Sequence, residues 1–144
     1  MDVLDDSGTT TARNNSSVIV LLQFARQKLL FTGDAGIEAL TRAIDCAERC
    51  GISLRDLTFF HVPHHGSRRN LGPAILNRLG ARIAYISAAA DGSPKHPSRR
   101  VVNALTRRRT AVYATQGKAL RFGVGLRPGW TPVQALPWYP QVEI

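Results

Sequence analysis

Residues 57–67, LTFFHVPHHGS, contain three of the four histidines in the chain. The first part of this stretch is apolar and aromatic, which predicts a buried strand over 57–62. His61 falls within the strand pattern, so we interpret it as a structural residue. The pair His64 and His65 follows a proline at the point where the strand ends. The stretch therefore places two imidazoles in a loop directly after a strand, as many metal sites do.

The hydrophobic pattern on either side of this stretch predicts a sheet with helices. Apolar, β-branched runs predict strands, and apolar residues three or four apart predict helices. The predicted strands span 17–24, 28–32, 57–62, 82–87, 111–115 and 119–124, and the predicted helices span 36–50, 71–79 and 97–109. Asn70 is the predicted cap of the second helix, and Pro97 is predicted in the first turn of the third. The order ββαβαβαββ predicts an α/β (α+β) fold with a mixed sheet flanked by helices.

The 144 residues suit one domain with a single core. Residues 1–16 are polar and predict a flexible N-terminal segment, and 17–124 form the predicted domain. Residues 125–144 form a tail rich in proline and tryptophan. We expect its aromatic residues to pack the tail onto the domain; they are Trp130, Trp138 and Tyr139.

The composition favours an anionic partner. Lys and Arg number 19 against 10 Asp and Glu, which gives a net charge of +9. Arginine binds phosphate through a planar fork, so this excess favours nucleic acid, although solvated helix faces in an arginine-rich chain explain it equally well. The sequence has no apolar run of about 20 residues and no signal-peptide pattern, so the default expectation is a cytoplasmic chain. Cys46 and Cys50 are too few for a structural zinc site, and we expect two half-buried thiols.

Polar side chains follow three of the predicted strands. Asp34 follows strand 28–32, His64 and His65 follow strand 57–62, and His96 lies between strand 82–87 and the next helix. Ligands bind at this edge of α/β sheets, and carboxylate with imidazole is a ligand set for zinc, manganese or iron. Each group also has a simpler explanation: Asp34 or His96 would cap the following helix, and His65 would be a surface or supporting residue.

Several motifs together resemble one family. They are N-N-S-S before a strand, L-L-F-T-G-D, F-F-H-V-P-H-H-G-S, K-H-P before a helix, and a strand ending in A-T. From about 14 to 122 the sequence resembles the C-terminal half of the metallo-β-lactamase fold, closest to the soluble domain of DNA-uptake competence proteins of the ComEC type. That resemblance implies half of an αββα sandwich, one or two zinc or manganese ions, and a hydrolase of phosphodiesterase or nuclease type.

The resemblance also implies roles for individual residues. Asp34 would bridge the metals, His64 would be a ligand with His65 as its alternate or support, and His96 would be the last ligand or contact the phosphate. The implied catalytic residues are therefore Asp34, His64 and His96. The residues implied to hold a phosphate-containing substrate, such as nucleic acid, are Ser67, Arg68, Arg69 and Arg99. Many relatives carry a further ligand histidine near Asn14.

One motif of that family is not in this sequence. The H-x-H-x-D-H segment supplies most ligands of the first metal, and no histidine precedes His61 here. We therefore expect a truncated or split hydrolase, a complementing N-terminal half or a second copy as partner, and an exposed apolar sheet face. The alternatives are a non-catalytic nucleic-acid-binding or interaction module on the same scaffold, and a chain without independent function.

Overall fold

The computed structural model describes residues 4–123 and 128–142. The strands are β1 (Val20–Phe24), β2 (Gln27–Phe31), β3 (Leu57–His61), β4 (Ala81–Ile86) and β5 (Ala111–Ala114). The helices are α1 (Ala12–Asn15), α2 (Ile37–Arg49), α3 (Pro73–Arg78) and α4 (Arg99–Arg107), with one 3-10 turn at His64–Gly66. No helix among the described residues is long and apolar enough to cross a membrane.

The five strands form one mixed sheet in the order β1-β2-β3-β4-β5. β1 and β2 form an antiparallel hairpin in which Val20 lies opposite Phe31, and β2 to β5 are parallel to one another. Each parallel pair is joined by a helical connection, as parallel strands require. The predicted α/β class with a mixed sheet flanked by helices is confirmed.

The helices pack against one face of this sheet. On that face the register aligns four buried side chains, Leu30, Phe60, Ala84 and Val112. They share the main core with side chains from three helices, including Leu40, Ile44, Ile75, Leu76, Val101 and Val102. Because side chains alternate along a strand, the neighbouring residues point to the opposite face.

That opposite face is apolar, and no described helix covers it. Its register aligns Leu29 with Phe59 and Ile83. The Phe122 ring lies 5.0 Å from that of Phe59 and shields it in part. At the β1 edge the large side chains stay in solvent: Val20 is 38%, Leu22 46% and Phe24 54% exposed. The half-sheet implied by the resemblance led us to expect an exposed apolar face; the exposure is observed at the β1 edge, whereas Leu29 and Phe59 are buried.

Two predicted helix starts are wrong. α3 begins at Pro73 with Gly72 as its N-cap, and α4 begins at Arg99 after Ser98. Pro97 therefore precedes the first turn of α4. Asn70 is buried away from the helix end, and its amide donates to the carbonyls of two residues after β2, Asp34 and Ala35.

The predicted strand over 119–124 is also wrong across its described part, because residues 119–123 form no strand; residue 124 lies outside the described residues. Phe122 instead packs its ring on the sheet face, and the Tyr85 hydroxyl donates to the Arg121 carbonyl at 2.9 Å. This packing explains the apolar character of Phe122, one of the residues that suggested a strand.

The polar N-terminal segment makes more contacts than its composition predicts. Leu4 is buried in the main core. The Asp6 carboxylate accepts a hydrogen bond from the Ala74 N–H at 3.0 Å and so caps α3. Thr11 caps the short helix α1, in a stretch that predicted only a loop.

The described part of the C-terminal tail lies along β5 and α4. The Leu136 N–H donates to the Val112 carbonyl at 2.7 Å, and Asn103 exchanges two hydrogen bonds with the backbone of Tyr139. Of the aromatic residues expected to pack the tail, Tyr139 contacts the core, and Trp138, although largely exposed, lies under the Arg107 guanidinium of α4 at 5.3 Å. Trp130 stays exposed. Cys46 and Cys50 are exposed on α2 rather than half-buried.

Candidate functional site

Three connecting segments meet at the carboxyl ends of the parallel strands. The His64 N–H donates to the Gly33 carbonyl at 3.0 Å, which ties the turn after β3 to the turn after β2. The Ser98 N–H donates to the Gly66 carbonyl at 3.0 Å, which ties the same turn to the start of α4. Backbone hydrogen bonds therefore bring together the segments that the sequence singled out.

The turn after β3 has an unusual backbone. His64 and His65 have φ values of 45° and 57°, and Gly66 follows with φ 77°. Two successive non-glycine residues with positive φ are uncommon, and such conformations persist where the surroundings impose them. A β-carbon on Gly66 would lie only 2.8 Å from the Pro97 β-carbon, so glycine is required for the close approach of the next loop.

Three histidine rings form a triangle at this edge, the histidine triangle. The ring centroids of His64 and His65 are 5.7 Å apart. The ring centroid of His96 lies 6.4 Å from that of His64 and 6.2 Å from that of His65. His96 comes from the loop after β4, and the pair comes from the turn after β3. Ser98, not His96, is the N-cap of α4, so the capping explanation for His96 does not apply.

His65 is held with one ring nitrogen facing outward. Its Nδ1 lies 2.6 Å from the Ser87 carbonyl oxygen, which can only accept, so Nδ1 carries the proton. The neutral ring then has a lone pair on Nε2. A histidine that donates one N–H to a carbonyl and presents the other nitrogen is the usual arrangement of a metal ligand.

His64 is oriented by Asn14 of α1. The Asn14 side-chain amide nitrogen lies 3.0 Å from His64 Nδ1. An amide N–H in this position donates to Nδ1 and leaves the proton on Nε2; reversing the side-chain amide would exchange these roles and free Nε2 as a ligand. The resemblance implied a further ligand histidine near Asn14; in this chain Asn14 contacts His64.

Asp34 follows β2 and acts electrostatically on His61. It does not cap α2, whose N-cap is Gly36. Burial lowers the pKa of His61; the negative charge of Asp34 opposes this effect, and His65 adds to it. The His61 ring packs on that of Phe31 at 6.3 Å. The charge of the carboxylate thus acts on the histidine that the sequence assigned to a structural role.

A groove of about 1010 Å³ runs from two of the three histidines, His64 and His96. Its walls include all four residues implied to hold substrate, Ser67, Arg68, Arg69 and Arg99. Ser67 is nearly buried, and its hydroxyl accepts a hydrogen bond from the Arg69 N–H at 3.2 Å. The sequence missed Lys95 and the tail residues Tyr139 and Gln141, which complete the groove. The Arg99 guanidinium lies over the Tyr139 ring at 5.1 Å.

The histidine triangle has the donor chemistry of a zinc or manganese site, but its rings lie farther apart than those of histidines that bind one ion. Among residues 4–123 and 128–142, no three His, Cys, Asp or Glu side chains are placed to hold one ion together. Zinc–nitrogen bonds of about 2.1 Å would hold two imidazole centroids roughly 5 Å apart. The observed separations are about 1 Å longer, so the rings would have to move inward to hold an ion.

Comparison of this chain with protein-family models, curated proteins and solved structures finds no match.

Proposed function

We propose that the chain is part of a metal-dependent hydrolase of the metallo-β-lactamase type that acts on phosphodiesters. The observation that carries the proposal is the convergence of three histidines from two loops at the mouth of a groove lined by cationic side chains. The same edge of the sheet carries Asp34. Imidazole donors beside guanidinium groups suit a site that handles phosphate esters.

The histidine triangle and the cationic side chains of the groove would have separate roles. His65 presents Nε2 because the Ser87 carbonyl fixes its other nitrogen. Asn14 orients His64, and His96 closes the triangle. Arg68, Arg69, Lys95 and Arg99 would bind the phosphate oxygens of the substrate. When bound, a zinc or manganese ion supplies Lewis-acid activation of the reacting groups.

The proposed hydrolase needs ligands beyond those of this chain. Two-metal hydrolysis requires several side chains around each ion, and the sequence has no H-x-H-x-D-H segment. We therefore propose a complementing half, or a second copy, that also covers the apolar sheet face. If the DNA upstream of the codons for these residues encodes the missing motif, in the same or in a separate reading frame, the encoded segment together with this chain should cleave single-stranded DNA in the presence of zinc or manganese, and a chelator should abolish the cleavage. Upstream DNA without the motif would contradict the split-gene form of the proposal.

Zinc titration of the purified chain tests the histidine triangle directly. The background variant is Cys46→Ser with Cys50→Ser, because exposed thiols four apart on a helix can bind zinc themselves. We expect one ion per chain, with affinity reduced at least about 10-fold by His65→Ala or His96→Ala. The matched control, His61→Gln, removes a histidine outside the triangle and should bind zinc normally. An equal loss in the control, or no binding in the background protein, would refute the site.

The second candidate is a non-catalytic nucleic-acid-binding module. The cationic lining of the groove favours it, because this lining needs no metal to attract phosphate. DNA binding that survives both a chelator and Asp34→Ala, in a protein that takes up no zinc, would select this candidate over the hydrolase.

A further inference from the structure

A second pocket lies next to the groove, on the side of the N-terminal segment. Its volume is about 410 Å³, and its walls carry three arginines, Arg68, Arg69 and Arg100. The opposite wall is the N-terminal segment, with Asp5, Ser7, Gly8 and Thr9. We call it the arginine pocket. Arg68 and Arg69 line both the pocket and the groove, so the two cavities share a wall.

The N-terminal segment is held firmly enough to form that wall. Leu4 is inserted in the core, and Asp6 caps α3. A β-carbon on Gly8 would overlap the Arg69 carbonyl, so the backbone passes directly against the arginine doublet. The pocket is therefore built from three segments that lie far apart along the chain: the N-terminal segment, the arginine doublet and the first turn of α4.

The described residues that line the pocket carry more cationic than anionic side chains. They include three guanidinium groups and the carboxylate of Asp5. Both the N–H and the hydroxyl of Ser7 donate to this carboxylate, and the charges of Arg100 and Arg68 also lower its pKa. Arg100 lies in the first turn of α4, where the helix dipole disfavours a cation and favours an anion. The three guanidinium groups and this end of the helix would both attract an anion bound in the pocket.

We propose that the arginine pocket binds a phosphate group of a nucleic-acid strand whose neighbouring phosphates lie in the groove. The shared arginines would contact the strand on both sides, so the chain would hold a run of backbone phosphates rather than a single nucleotide. Only the identity of the strand rests on the proposed function. Phosphate binding in the pocket needs no metal and no histidine.

The test measures binding of a short fluorescein-labelled oligodeoxythymidylate by anisotropy, with a chelator present throughout. Arg100→Gln removes a charge from the pocket alone, whereas Arg82→Gln removes the same charge from the other end of the sheet, where Arg82 is exposed on β4. We expect Arg100→Gln to weaken binding about five-fold more than Arg82→Gln and to reduce the salt dependence by about one phosphate contact between roughly 50 and 200 mM salt.

Asp5→Asn provides a change of opposite sign. It removes the carboxylate that competes for the three arginines, so it should tighten binding of the same oligonucleotide. A variant that merely damaged the fold could not do this, and thermal melting of each variant separates folding from binding. Equal affinity of Arg100→Gln and Arg82→Gln, together with no gain in Asp5→Asn, would overturn the proposal.

Inorganic phosphate separates the polymer from a free anion. We expect it to compete with the oligonucleotide less effectively in Arg100→Gln than in Arg82→Gln. If inorganic phosphate binding depends on Arg100 while oligonucleotide affinity does not, the pocket takes a small free anion and the strand proposal is wrong. Because a chelator is present, failure of the zinc titration at the histidine triangle would leave these results unchanged.

Discussion

Asn70 should be one of the most sensitive positions near the candidate site, since it joins two of the segments that form it. Its side chain is 1% exposed, and its amide nitrogen donates to the carbonyls of Asp34 at 3.0 Å and Ala35 at 3.1 Å. Asn70→Ala would remove both hydrogen bonds and leave the buried bond at the Ala35 carbonyl and the partly buried bond at the Asp34 carbonyl without a donor. Each lost buried hydrogen bond costs about 1–2 kcal/mol.

The expected loss for Asn70→Ala is therefore about 2–4 kcal/mol in the free energy of unfolding, measured by urea denaturation. For a chain of this size the thermal midpoint should fall by roughly 10 °C. Asn70→Asp keeps the size of the side chain but replaces the donor by a charge, so it should cost at least as much at neutral pH. The matched control is Asn77→Ala, because Asn77 is exposed on α3 and its side chain bonds only to the Arg108 side chain.

The control variant should change the free energy of unfolding by about 0.5 kcal/mol or less, as surface substitutions usually do. A loss below about 1 kcal/mol in Asn70→Ala would refute the argument that the Asp34 and Ala35 carbonyls depend on this amide. Zinc affinity gives an independent readout, because displacement of the segment that carries Asp34 should weaken the candidate site as well as the fold.

Three further predictions concern the turn after β3, the helix layer and the exposed sheet face. Gly66→Ala combines a positive φ with a steric overlap and should lower the free energy of unfolding by more than about 2 kcal/mol in the same denaturation assay. Gly51 has a similar φ but open space around it, so Gly51→Ala should cost only about 1 kcal/mol. Equal losses in the two variants would argue against the overlap. Hydrogen bonds from Arg78 lower the pKa of the Glu48 carboxyl, so the stabilisation is present above the unfolded-state pKa and is lost as the pH falls through the folded-state value. Thermal midpoints at acidic and neutral pH should differ less in Glu48→Gln than in the unmodified chain, and an unchanged difference would contradict the pairing. Phe24→Lys should reduce self-association in light scattering without lowering the thermal midpoint, because this side chain is mostly in solvent on an edge strand; unchanged association would place the adhesive surface elsewhere.

The sequence predicted best the helices and strands whose apolar residues recur with a clear helical or strand period. β3 and α2 have strong apolar patterns, and their observed bounds differ from the prediction by one residue at most at each end. Gly51 follows the end of α2, and its φ of 71° is the left-handed conformation that glycine commonly adopts after a helix. The local sequence is sufficient to predict an element where the same residues favour its backbone conformation and form its buried face.

The errors arose where a distant contact decided the outcome. The sequence pattern suggests that Asn70 caps a helix. In the structure its side-chain amide instead donates hydrogen bonds to two carbonyls of the loop after β2. The residues around Phe122 look like a strand, but this ring is drawn to the open sheet face by Phe59 and Tyr85. In both cases a partner more than 30 residues away competes with the local preference.

The sequence by itself determined the α/β class, the positions of polar side chains after strands, and the cationic character of the chain, because periodicity and charge are local properties. Only the tertiary structure decided which of those side chains meet. Parallel pairing brought His96 to His64 and His65, packing fixed the tautomer of His65 through Ser87, and the insertion of Leu4 placed the N-terminal segment opposite the arginines. These arrangements depend on contacts between residues far apart in the chain, and no local pattern encodes them.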